Sequence, residues 1–226
     1  MKFHPLISVP VAALILATTT YPILAAEDAT QTVRSANTTL QEFLDRQQIP
    51  PAILKNSQGI AIIPNVIQAG FVLGAKRGEG IMLVRNQDGS WSNPAIITLT
   101  GGSFGLQAGA KSSDIVLAFQ DAESIRKVYN SDFRLGGDVS GTAGPEDSQA
   151  VFPTDSTGNI YSYVKGEGLF GGVALSGVRV DYEEDETGNL YGQEKVSAQQ
   201  VFTGSVTPPP IVESLRKTLG GATASR

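Results

Sequence analysis

The sequence predicts an α+β domain: a twisted, mainly antiparallel β-sheet, partly closed or layered, flanked by N- and C-terminal helices. Three observations carry this. The 226 residues include 25 glycines with no collagen period, where ordinary usage gives roughly 16. The centre of the chain is a succession of apolar runs bounded by Gly and Pro, the pattern of strands and tight turns. Helical periodicity is confined to its two ends and to short segments between.

In order, "MKFHPLISVPVAALILATTTYPILAAEDAT" carries Lys2, an apolar stretch from about Leu6 to Leu24, and small residues before Glu27. That is the pattern of a secretory signal peptide, residues 1–26, with cleavage near Ala25 or Ala26. Pro10, Pro22 and "TTTY" weaken the alternative of a membrane anchor. The remaining 27–226 read as a single domain with its core at about 49–204. Residues 29–48 place Val33, Ala36, Leu40, Phe43 and Leu44 at helical intervals, and Pro50-Pro51 stops that helix. Its mixed polar face marks a helix covering a sheet; Val33, Leu40, Phe43 and Leu44 are also the candidates for apolar contact with a membrane. Pro51 suits the first turn of a short helix around "PAILKNS".

Strands follow at "GIAIIPNV", "AGFVLGAK", "GIMLVRNQDGSW" with an Asp88-Gly89 turn, "PAIITLT", "SFGLQAGA" and "SDIVLAFQ", the last apolar on both faces. Asp121 caps the helix "AESIRKVY". "RLGGDVSGTAG", "NIYSYVKG" and "GLFGGVALSGVRVDYEED" resume the sheet, and a "TGN" turn leads to "LYGQ". "SAQQVFTG" is a short helix, and a C-terminal helix spans about 210–219, ended by glycine.

The chemistry is restricted. There is no Cys, and the single His, His4, lies in the segment to be removed. A mature chain would lack thiol chemistry, the commonest general base and the commonest transition-metal ligand. Losing Lys2 takes the formal charge of −5 to −6, and this acidic balance excludes nucleic acid as a partner. "GGSFGLQAG" fails the phosphate-loop spacing, because Leu106 follows Gly105 and Lys111 lies too far on. "DYEEDETGN" fails the EF-hand spacing, with Glu186 sixth and Gly192 twelfth from Asp181, and reads as a solvated hairpin tip. "GGSFG" is not a nucleophile elbow, and no carboxylate pair stands out for hydrolysis. No catalytic residue, metal site or cofactor is assigned. Among the basic residues, Lys76 and Arg77 precede "GEG" and Lys165 precedes a matching "GEG"; with Arg179 they are the candidates for a headgroup-binding patch.

"GIAIIPNVIQAGFVLGAKRGEGIMLVR", "DGSWSNPAIITLTGGSFGLQAG", "SSDIVLAF", "LGGDVSGTAGP" and "YSYVKGEGLFGGVALSG" resemble, in this order, the SYLF domain, also labelled an actin-binding domain in some eukaryotic members. The resemblance runs from about Ile49 to Gly204. It implies a domain that binds membrane lipid, phosphoinositides among them, or actin, with no enzymatic activity, and it makes Trp91, Asn93, Pro94, Gly101, Gly102 and Gly105 a structural signature of the fold. Gln58 stands where members often carry Lys. The combined expectation is a peripheral lipid-binding protein of the bacterial cell envelope or periplasm, exported but not a lipoprotein. Its partners would be membrane lipid, anionic lipid included, or an envelope protein. The alternatives are a protein-binding scaffold without direct lipid binding and, more remotely, a carboxylate-based hydrolase.

Overall fold

The computed structural model describes residues 20–131, 133–135, 151–153, 160–166, 175 and 177–224. Its centre is one hairpin of two very long strands, β1 (Gly59–Val84) and β2 (Ala95–Phe119), paired antiparallel from Gly59↔Phe119 to Met82↔Ala95. The six separate runs expected in this region therefore fuse into two strands. Register shifts between Ile63 and Val66 and between Gly70 and Val72 bend the ribbon. At the first, Asn65 takes a positive φ of 50° and its N–H donates to Asp114 Oδ1 at 3.0 Å.

The bent ribbon doubles back, so that the two ends of β1 meet. The Arg85 N–H donates to the Gln58 carbonyl at 2.7 Å. A Cβ on Gly80 would lie 2.3 Å from the Ile62 carbonyl oxygen, and one on Gly78 would lie 2.6 Å from Val66 Cγ2. No side chain fits in either gap, which is why the close approach needs glycine. The far edge of β2 is shared: β6 (Val178–Tyr182) pairs with its first half and β5 (Ile160–Gly166) with its second. Short edge strands β3 (Phe133–Leu135) and β4 (Val151–Pro153) finish the antiparallel, curled sheet of six strands among the described residues. This is the expected α+β class.

Strand alternation sends side chains to both faces, and both are buried. One face joins Ile60, Ile62, Ile81, Leu83, Ile96, Val116 and Ala118 to α1 (Thr20–Asp45), α2 (Pro51–Asn56) and α6 (Ile211–Ala224). The other gathers Ala61, Ile63, Met82, Ile97, Leu99, Ile115, Leu117, Phe119, Val178 and Val180 under α3 (Ala122–Tyr129). Each buried Ile or Leu contributes about 1.5–3 kcal/mol.

The helices follow their local signals with three exceptions. Pro51 opens α2, the Asp121 carboxylate accepts from the Ser124 N–H at 2.8 Å, and α5 (Ala198–Phe202) starts with a Ser197–Gln200 capping box. First, α1 begins at Thr20, inside the segment read as a signal, and ends at Asp45 ahead of Gln47 with a φ of 54°. Second, α6 continues through Gly220-Gly221 to Ala224. Third, the acidic hairpin tip is instead helix α4 (Glu184–Tyr191). Glu184, Asp185 and Glu186 fill its first turn, where carboxylates favour the helix dipole, and Gly192 ends it at a φ of 68°. "LYGQ" accordingly closes a helix and is not a strand. Most of "RLGGDVSGTAG" and the "GLFGG" segment lie outside the described residues. Among the described residues no helix is long and apolar enough to cross a membrane.

The doubling-back predicts a contrast. Gly80→Ala should lower unfolding free energy by about 2 kcal/mol or more through overpacking against backbone. Gly102→Ala, where a Cβ meets nothing within 4 Å, should change it by less than about 0.5 kcal/mol. Urea unfolding followed by circular dichroism checks both.

Candidate functional site

The signature residues of the β1–β2 turn are structural. Trp91 is buried, with the Arg85 guanidinium 4.4 Å from its ring centroid. That guanidinium donates to the carbonyls of Leu54 and Ser57, both at 2.9 Å, so it ties α2 to the turn. Asn93 is buried between two partners: its Nδ2 donates to the Val206 carbonyl at 3.1 Å, and its Oδ1 accepts from Arg216 at 2.7 Å. The Pro94 carbonyl accepts from Tyr191 Oη at 2.6 Å. Residues from α4, α6 and the α5–α6 loop thus close on one tetrapeptide. Of the glycines, Gly101 abuts β6, where a Cβ would lie 3.0 Å from Val178 Cγ2; Gly102 faces open space. Gly105 pairs with Val72 in the ribbon.

The four apolar residues proposed for membrane contact are docked. Val33, Leu40 and Phe43 are buried in the core and Leu44 packs against it. Their stripe covers the sheet, so in this structure they offer no face to a membrane. That is a correction, and its physical reason is that the same stripe buries the α1-side sheet residues.

The four cations proposed as one patch are not brought together. Lys76 is 6% exposed and sits on the opposite face of β1 from its exposed neighbour Arg77. Burial pushes its ammonium below the ordinary value. Lys165 is engaged by Glu42 of α1 and, at 3.7 Å, by Asp114 of β2. Hydrogen bonding and attraction from Lys165 hold the Glu42 carboxyl below the usual range. This pair fastens α1 to the sheet, so Lys76 and Lys165 leave the candidate patch.

Register supplies a different arrangement. Arg77 lies opposite Thr100, Thr100 opposite Arg179, and Arg179 opposite Arg134. Directly opposed residues of antiparallel strands share a face, so three guanidiniums line up across four strands. At ~4.8 Å per strand the row is roughly 14 Å long. Arg77 and Arg134 are exposed; Arg179 is half-buried, pairs with Asp181 at 2.6 Å and donates to the Ser131 carbonyl at 3.0 Å. Opposed like charges such as Arg134 and Arg179 are unfavourable, and Asp181 offsets only one of them. Arg134 was not legible in the sequence, because nothing in "DFRL" announces its partner on β6.

Beside Arg77 the two halves of β1 border an open groove of about 470 Å³. Ile67, Ala69 and Ala75 supply apolar lining, and Asn65, Lys76, Arg77, Gly78 and Glu79 complete it. Ile67 is 55% exposed, uncommon for a large apolar side chain in this fold. Glu79 accepts from Thr32 of α1 at 2.6 Å. Desolvation first, then Asp28, Glu186 and Glu183 nearby, raise its carboxyl above the ordinary value of 4.5. Among the described residues no group of three or more His, Cys, Asp or Glu side chains is arranged to hold a metal ion.

The fold and this surface define a domain that presents faces. The family described as "Ysc84: Las17-binding protein actin regulator" matches residues 100–222, more than half of the chain. The chain belongs to this family, the one its motifs resemble. It is 31% identical over 184 residues to LAS seventeen-binding protein 3 of Saccharomyces cerevisiae, covering 79% of this chain and 40% of that one. It is 32% identical over 196 residues to Protein YSC84 of the same yeast, covering 84% and 42%. SH3 domain-containing YSC84-like protein 1 of Xenopus laevis is 30% identical over 178 residues, covering 77% and 53%. The chain thus spans about half the length of these relatives or less. No solved structure matches it.

Two outcomes follow from this geometry. Asn93→Ala removes the Val206 carbonyl's side-chain donor and leaves Arg216 only the Ser92 carbonyl, and should cost about 1–3 kcal/mol in unfolding free energy. For Glu79, the folded protein holds its proton more tightly than the unfolded chain, so stability falls as pH rises from 4.5 through the raised value. Glu79→Gln should therefore melt higher than the parent at pH 7, and the difference should vanish near pH 4. Thermal melts at the two pH values check the sign.

Proposed function

We propose that this chain is a non-enzymatic protein of the cell envelope that associates peripherally with anionic lipid. The observation that carries the reading is the Arg77–Arg179–Arg134 row on one face of the sheet, exposed at Arg77 and Arg134, with the exposed Ile67 in the groove beside Arg77. One cation near an anionic membrane contributes only about 1 kcal/mol, so alignment of several matters more than total charge. Of the carboxylates near the row, Asp181 pairs with Arg179, and Glu79 beside Arg77 is held above its ordinary value chiefly by burial; those farther off are screened beyond about a Debye length. The absence of Cys, and of His beyond position 4, supports a binding role over bond-making chemistry. The N-terminal apolar stretch supports export.

A second reading is supported by the family description and by the names of the relatives: binding of a protein partner by the same face. Co-sedimentation with phosphatidylcholine and phosphatidylglycerol vesicles at low and high salt separates the two. Lipid association should require the anionic vesicles, weaken with salt, and fall about fivefold for each of Arg77→Ala and Arg134→Ala. Binding indifferent to headgroup and salt, or absent from both vesicles, overturns the lipid reading.

A further inference from the structure

Resting on that lipid reading, we propose that the groove beside Arg77 receives one acyl chain of the anionic lipid whose phosphate meets the arginine row. Its volume of about 470 Å³ falls within the roughly 300–1,000 Å³ typical of small-molecule sites. Ile67, Ala69 and Ala75 line it with apolar surface, and all three are exposed. Hydrocarbon placed against this apolar lining would be removed from water together with it. Two features identify the occupant. The groove's apolar surface comes from Ile67, Ala69 and Ala75, while Asn65, Lys76, Arg77 and Glu79 also border it. Arg77, at the groove's side, begins the row that continues through Arg179 to Arg134 on the same face. An apolar trough ending in guanidiniums fits an amphiphile with a hydrocarbon tail and an anionic head, whose phosphate a guanidinium can hold with two hydrogen bonds.

The groove is a product of the doubling-back. It lies between the two halves of β1, held together by the glycine contacts of Gly78 with Val66 and of Gly80 with Ile62. It is therefore preformed and needs no movement of α1, whose apolar stripe stays in the core.

The test uses the full chain and dodecyl phosphate at monomeric concentrations, with inorganic phosphate and dodecyl maltoside as controls. An Ile67→Trp variant, its fluorescence read against the parent to subtract Trp91, should show a saturable blue shift with dodecyl phosphate. The two controls should bind at least about tenfold more weakly, since each keeps only one half of the recognition. Ile67→Glu should lose dodecyl phosphate binding about tenfold by calorimetry with an unchanged melting temperature. An equal response to inorganic phosphate, or no shift in the Ile67→Trp variant with any probe, overturns the acyl groove. If vesicle binding still depends on headgroup and salt in that case, the lipid reading stands and only the groove falls.

Discussion

The contact between the two halves of β1 is the constraint on which this structure depends. A hairpin of two strands this long cannot lie flat over a domain of this size, because each residue adds about 3.3 Å. Bending it back puts one half of β1 against the other, and the Val66 side chain then stands too close for a Cβ at Gly78, as the Ile62 carbonyl does at Gly80. Everything else is arranged about that fold. Toward the ends of the strands both faces of the ribbon become interior, α1 and α6 covering one and α3 the other.

This explains what the sequence could and could not disclose. The apolar runs, the glycines and the helix caps at Asp121 and Ser197 are local signals, and they were legible. The breaks between runs were not breaks. Pro64 and Asn65 punctuate the sequence as a turn would, yet they mark a bend inside one strand, secured by the Asp114 carboxylate from 49 positions away. "EEDETGN" likewise has turn composition, but three carboxylates at a helix N-terminus and a left-handed glycine at its end make a short helix there. A tertiary contact decided the first case, and helix-end signals decided the second.

The candidate site divides on the same line. Arg77 and Arg179 were legible as cations, but cationic character does not reveal which face a residue takes. Lys76 and Arg77 are adjacent and project oppositely, while Arg77 and Arg134 are 57 positions apart and project together. Register, set by three strand pairings, turns scattered arginines into a row, and no window of sequence contains it. The amphipathic helix shows the converse. Its periodicity is plain in the sequence, and the sheet beneath it is what the apolar stripe covers.

The fixed cations make the row more distinct. Arg85 is held by three backbone carbonyls over Trp91, Arg216 by Asn93 and Ser92, and Lys165 between Glu42 and Asp114. Each joins separate elements, so each acts on stability. Among the described residues Arg77 and Arg134 tie no elements together: they are exposed guanidiniums on a sheet face, set in line with a third. An opposed pair of like charges persists in a fold only where its cost is small or is offset by something that binds it. An anionic surface laid along the row would offset it, and the apolar groove at one end gives that surface a direction.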